Sequence, residues 1–175
     1  MDIADYLHKQ SIIVGDVKSG KTVFCQELLK EFLRQGYTNI AVFDLAPENR
    51  DGIGGKMQQI HEAGVLYFTT TIYPPRLLGK NEEQILKYAR INAINIEILF
   101  EEYRQEPCEI VFVNDVSLYL HAGNLDLLLE ILSLSETQVL NAYYGATFDN
   151  LPLSKHERVM VEKLKKACDA VIKLG

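Results

Sequence analysis

The sequence predicts an α/β chain with a three-layer α/β/α fold and a mostly parallel sheet of about six strands, in a single domain over residues 1–175. Three observations carry this expectation. Short apolar runs alternate with helical patterns from end to end, the order that builds parallel sheets through crossover helices. The runs are apolar throughout rather than alternating, as strands covered on both faces require. A chain of 175 residues, 47% hydrophobic and 24% charged, also has the size and composition of one globular domain with its own core.

The elements follow in order. Residues 11–14 are a β-rich run feeding a glycine loop. Residues 21–35 set Phe24, Leu28 and Phe32 at four-residue steps beside Leu29 and Leu33, one apolar helix face closed by Gly36. Residues 40–43 are a second strand ending on Asp44. Pro47 and the glycines at 52, 54 and 55 mark an irregular loop before a short helix over 57–62, and 65–68 read as the third strand. Residues 69–81, with Pro74-Pro75, read as a loop. Residues 82–106 are the longest helix, acidic at its start and stopped before Pro107. Then come an apolar strand at 110–113, an apolar helix at 125–134, and strand, helix, strand at 139–144, 154–167 and 170–174. No repeat, low-complexity tract or linker interrupts them.

Composition narrows the function classes. With 18 basic and 24 acidic residues the formal charge is -6, which repels a phosphate backbone, so general nucleic-acid binding is not expected. The basic residues of 155–173 interleave with Glu157, Glu162 and Asp169 and read as a solvated helix face. No apolar stretch is long enough to cross a membrane, and the N-terminus lacks the pattern of a secretory signal. Cys25, Cys108 and Cys168 are odd in number and widely spaced, against a disulfide framework or a structural zinc site. A reducing cytoplasm is the expected location. His8, His61, His121 and His156 have no ligand spacing and read as surface or capping residues.

The chemistry lies in Gly15-Asp16-Val17-Lys18-Ser19-Gly20-Lys21-Thr22, which fits Gly-x-x-x-x-Gly-Lys-Ser/Thr between a strand and a helix. Gly15 and Gly20 permit backbone turns that aim consecutive N–H groups at phosphate oxygens. The helix beginning near Lys21 adds unpaired N–H groups and the positive end of its dipole. Residues 15–23, Val23 included, are therefore the expected nucleotide-binding segment. Lys21 would reach the β- and γ-phosphates, and Thr22 would ligate Mg²⁺ brought in with ATP, or with GTP. A second metal contact should be an acidic residue ending an apolar strand. Asp115 fits, while Asn114 is expected to point to the other face.

Beyond these motifs the chain resembles the RecA/KaiC-like group of P-loop ATPases. Asp115-Val116-Ser117 before the 125–134 helix resembles that group's Asp-Ser-x-Ser region, 139–144 its next core strand, and Ala167-Cys168-Asp169-Ala170-Val171-Ile172-Lys173-Leu174 its Ala-Asp-x-Val-Ile-x-Leu closing strand. The resemblance implies that Asn141 occupies the place of a residue sensing the γ-phosphate. It also implies that Asp44 stands where the group has a catalytic Glu, although Asp44 is shorter and Glu48 lies beyond a proline. The stretch after that strand is also similar to the Asp-Leu-Asp-Pro segment of MinD/ParA-like ATPases, but Asp16 stands where that family has a signature Lys. Val116 follows Asp115, so the acidic pair of many motor ATPases is missing.

Three functions fit these residues. The first is nucleoside triphosphate binding, ATP in preference, with Mg²⁺-dependent hydrolysis coupled to a conformational or assembly change; Lys21 and Asp44 are its candidate catalytic residues. No Asn/Thr-Lys-x-Asp guanine-reading motif follows the acidic strand. The second is a small-molecule kinase with residues 73–80 as acceptor site or lid. The third is a nucleotide-binding regulatory or scaffold protein with little turnover. Arg50, Lys56, Arg76 and Lys80 lie on loops after strands, where α/β proteins place ligand contacts. The resemblance further implies a homo-oligomer or protein partner sharing nucleotide sites.

Overall fold

The computed structural model describes residues 2–49, 55–148 and 151–175. A 3₁₀ turn, Ile3–Asp5, precedes six strands: β1 Gln10–Gly15, β2 Ile40–Asp44, β3 Val65–Thr69, β4 Ile110–Asn114, β5 Thr137–Tyr143 and β6 Ala170–Leu174. They form one sheet in the order β3-β2-β4-β5-β1-β6, with every neighbouring pair parallel. The helices are α1 Lys21–Arg34, α2 Pro75–Leu78, α3 Glu82–Gln105, α4 Ser117–Leu120, α5 Leu125–Leu132 and α6 Pro152–Ala167.

Alternate residues of each strand feed two cores. Ile12 and Val14 of β1, with Val111 and Val113 of β4, pack toward α3, α4, α5 and α6. Ile13, Phe112 and Val139 face the opposite way, against Leu28, Leu29 and Phe32 of α1 and Tyr6 near the N-terminus. The four central strands are apolar on both faces for this reason. Leu28, Leu29 and Phe32 are 0% exposed, each removal from water being worth about 1.5–3 kcal/mol. On the four-helix face, Phe43 stacks on Phe68 at 4.8 Å and meets Phe100 and Tyr103 edge-on. Asn81 caps α3 by accepting from the Gln84 N–H, and the helix ends two residues before Pro107, where α conformation becomes unfavourable.

Two differences from the sequence reading have local causes. Residues 57–62 form no helix, because their backbone groups are taken from outside the segment. Met57 N–H donates to Asp44, Gln58 N–H donates to Gln26, and Met57 C=O accepts from Tyr67. Within the expected loop at 69–81, Pro75 starts the single helical turn α2, its fixed φ suiting a first helical position. The turn α4 directly after β4 was not marked by any periodicity. No helix among the described residues is long and apolar enough to cross a membrane.

Candidate nucleotide site

β5 lies between β1 and β4, so the loop after β1 and the turn after β4 open at the same carboxyl edge of the sheet, flanking the end of β5. A Cβ on Gly15 would sit 2.5 Å from the Leu174 carbonyl oxygen and 2.5 Å from Ser19 Oγ, so only glycine fits. Gly20 turns the chain at φ 88° and enters α1 with no side-chain cap. The first amides of α1 are thus left unclaimed by any capping side chain, as an anion site needs. Lys21 folds back on the loop, donating through Nζ to Asp16 C=O at 2.7 Å and to Ser19 Oγ at 3.4 Å. Burial pushes its ammonium pKa down, while Asp115 and Asp16 hold it up.

Asp16 turns away from the cavity. Its carboxylate accepts from Val17 N–H, Ala146 N–H and the Thr147 hydroxyl at 2.6, 3.0 and 2.6 Å, tying the loop to residues 146–147. The Thr147 hydrogen bond, joined by those amides, holds its pKa below the ordinary carboxylate value. Val23 is 66% exposed and is among the residues that line the cavity.

Beneath the loop runs a buried polar chain that rearranges the expected roles. Asp44, 0% exposed, accepts from Asn114 Nδ2 at 2.7 Å, Tyr67 OH at 2.8 Å and Met57 N–H at 2.8 Å. Both of its oxygens are engaged, and it does not line the cavity. Because a carboxylate accepts, Asn114 must turn Nδ2 toward Asp44 and Oδ1 toward α1. There Oδ1 takes the Thr22 hydroxyl at 3.2 Å and Asn141 Nδ2 at 2.8 Å. Asn141 Oδ1 in turn accepts the Asp115 N–H at 2.9 Å, and its second amide hydrogen reaches Cys25 Sγ at 3.3 Å. Asn141 is therefore spent as a clamp between β4, β5 and α1 and offers no free donor to a phosphate. The Cys25 thiol, pushed up to about 12 by burial, stays neutral.

Asn114, not Asp115, makes the contact with Thr22. The expectation that Asn114 faces away fails because alternation along β4 puts it with Ile110 and Phe112 on the α1 face; Asp115, just past the strand end, takes a left-handed φ of 57°. Asp115 instead enters the cavity, with one oxygen held by Ser117 Oγ at 3.0 Å. Ser117 Oγ itself accepts from Tyr143 N–H at 2.7 Å. Burial, then the nearby Glu157 carboxylate, push the Asp115 carboxyl up to about 6, while Lys21 pulls it back.

The chain is similar in structure to the flagellar accessory protein FlaH from Methanocaldococcus jannaschii, with a TM-score of 0.52 and 12% identity over 96% of this chain and 71% of that one. That likeness shows the α/β fold alone. No protein-family model matches the chain, and no curated protein matches it in sequence.

A cavity of about 310 Å³ extends from residues 17–23 to a second wall. Arg76 from α2, His121 after α4 and Glu157 from α6 meet there, their side chains 9%, 1% and 2% exposed. Glu157 accepts from Arg76 through one oxygen and lies 3.0 Å from His121 Nε2 through the other. The Arg76 guanidinium lies over Phe148 at 4.9 Å and Tyr143 at 5.6 Å. Pro74, Pro75, Leu77 and Leu118 complete an apolar lining. His121 is thus a buried residue rather than a surface one, and Glu157 departs from the solvated face expected of α6. Its sequence signal was its place in the stripe of Leu153, Val161 and Leu164, the buried side of the helix. Of the other loop cations, Lys56 donates to Thr69 at 2.7 Å, Lys80 is exposed, and Arg50 lies outside the described residues.

Proposed function

We propose that the chain binds a nucleoside triphosphate, ATP in preference to GTP, with Mg²⁺ at residues 15–22, and hydrolyses it slowly in step with a conformational or assembly change. One observation carries the reading: Lys21, Thr22 and the uncapped start of α1 share a cavity with Asp115. Mg²⁺ favours hard oxygen donors and keeps several positions for phosphate and water. The Thr22 hydroxyl suits it, because its hydrogen is directed to Asn114 and its lone pairs are left for a cation. An amide beside Thr22, where a carboxylate would add charge, predicts weak Mg²⁺ retention without nucleotide. The ion when bound supplies charge neutralisation at the phosphates. Asp115, pinned at its N–H by Asn141 and at its carboxylate by Ser117, is the group that orients the attacking water, in place of Asp44. Water adds to the γ-phosphorus as the bond to the β-phosphate oxygen breaks, releasing nucleoside diphosphate and phosphate.

Thermal unfolding with Mg-ATP, Mg-GTP and Mg-CTP tests binding. A ligand at about 100 times its Kd adds about 2.7 kcal/mol, and this gain should vanish in Lys21→Ala. No gain with any nucleotide sinks the reading. In phosphate-release assays Asp115→Asn should lower kcat by about 10²-fold or more, whereas Asp44→Asn should weaken binding and turnover together. The apolar lining from Pro74 to Leu77 favours one second reading, transfer to a small-molecule acceptor. Phosphate release from ATP alone decides against it.

A further inference from the structure

We propose that Arg76 is a second anchor for the terminal phosphate of a bound triphosphate, paired with Glu157 when no triphosphate is present and turned onto the γ-phosphate when one is. Arg76 in this role presupposes the triphosphate reading of residues 15–22. The guanidinium lines the cavity that those residues open into, and its cradle is adjacent to them. Tyr143, one of the two rings beneath it, stands in register with Gly15, the first residue of the loop. A planar guanidinium can pivot over aromatic faces without losing that contact, and its fork matches a phosphate edge.

The present pairing is incomplete. Arg76 Nε is buried without a hydrogen-bond partner, so the ion pair with Glu157 leaves one of its donors unmet, a state that carries a desolvation cost. Charge supplies the drive. A triphosphate enters a cavity that already holds the Asp115 and Glu157 carboxylates, with Lys18 and Lys21 on the loop wall. Releasing Arg76 from Glu157 delivers a full positive charge to the ligand. Glu157 keeps His121 at 3.0 Å when this happens and is not stranded.

The move is a side-chain swing. Asn92, 0% exposed, clamps the backbone leading into α2, accepting from Tyr73 N–H at 2.9 Å and donating to Tyr73 C=O at 2.7 Å. The segment stays docked on α3 while the long Arg76 side chain changes partner. A diphosphate, lacking the terminal group, leaves Arg76 on Glu157, so Arg76 discriminates between the two nucleotides.

Titration calorimetry of the full chain with Mg-ATP and Mg-ADP tests this. Arg76→Ala should weaken ATP by about 10- to 100-fold, the value of a charge-assisted hydrogen bond, and leave ADP within about threefold. Arg76→Lys, which keeps the charge and loses the fork, should fall between. Glu157→Gln, which frees Arg76 without an unpaired carboxylate, should tighten ATP and leave ADP unchanged. The Arg76→Ala/Glu157→Gln double variant removes the pair without leaving a buried charge; it should show the same ATP-selective loss even where Arg76→Ala folds poorly. Equal losses for both nucleotides, or no loss for either, overturn the assignment while leaving the site itself standing. If the unmodified chain binds neither nucleotide, the triphosphate reading fails first and the role of Arg76 with it.

Discussion

The two walls of the cavity are built in opposite ways. The wall at 15–22 is main chain: two glycines, uncapped amides, and a lysine folded onto its own loop. The facing wall is side chain, with Arg76, His121 and Glu157 brought from three helical segments separated by 81 residues between Arg76 and Glu157. A main-chain wall needs only a few residue types at fixed spacing. A side-chain wall needs the whole fold to assemble it, and its charges survive burial only by pairing.

The contrast can be broken from either side. Glu157→Ala leaves Arg76 and His121 buried without their carboxylate and should cost about 3–5 kcal/mol, roughly 10 °C in Tm for a chain of this size, by thermal unfolding without ligand. A loss below about 1 kcal/mol would mean that the wall tolerates an unpaired charge. Gly15→Ala strikes the other wall: its Cβ has no room between the Leu174 carbonyl and Ser19. It should cost about 1–3 kcal/mol and abolish the nucleotide-dependent rise in Tm, whereas Glu157→Ala should retain a rise with Mg-ADP.

Asp115 sits between the walls and gives the smallest effect, one visible through pH. Its carboxyl is raised from 3.8 to about 6, so the stability linked to its protonated form is complete below about pH 4 and is lost as pH rises through 6. Asp115→Asn should remove that fall and unfold a few degrees higher than the unmodified chain at pH 8. Parallel Tm profiles of the two from pH 4 to 8 would contradict it.

The same contrast explains what the sequence could say. Residues 15–22 are contiguous, so spacing alone marks them as a candidate loop, and the six strands followed from runs apolar on both faces. Asp44, Asn114 and Asp115 were marked as polar groups at strand ends and Asn141 by the resemblance, but their places depend on where β4 stops and on the left-handed turn at Asp115. A shift of one residue there exchanges which side chain meets Thr22. Glu157 carried a signal in the buried stripe of α6, yet nothing local names partners that arrive from residues 76 and 121. Residues 57–62 misled for the complementary reason, since their backbone is claimed by Gln26, Asp44 and Tyr67 from other elements.

The chain of hydrogen bonds that starts at Asp44 has a direction. A carboxylate can only receive, so Asn114 can sit only one way round, Asn141 only one way round after it, and the Thr22 hydrogen is drawn inward. Replacing Asp44 by its amide would keep the shape and erase that instruction, since an amide can give as well as take. A carboxylate buried at the end of β2 thereby decides, through one bridging amide, that Thr22 shows its oxygen rather than its proton to whatever enters the cavity.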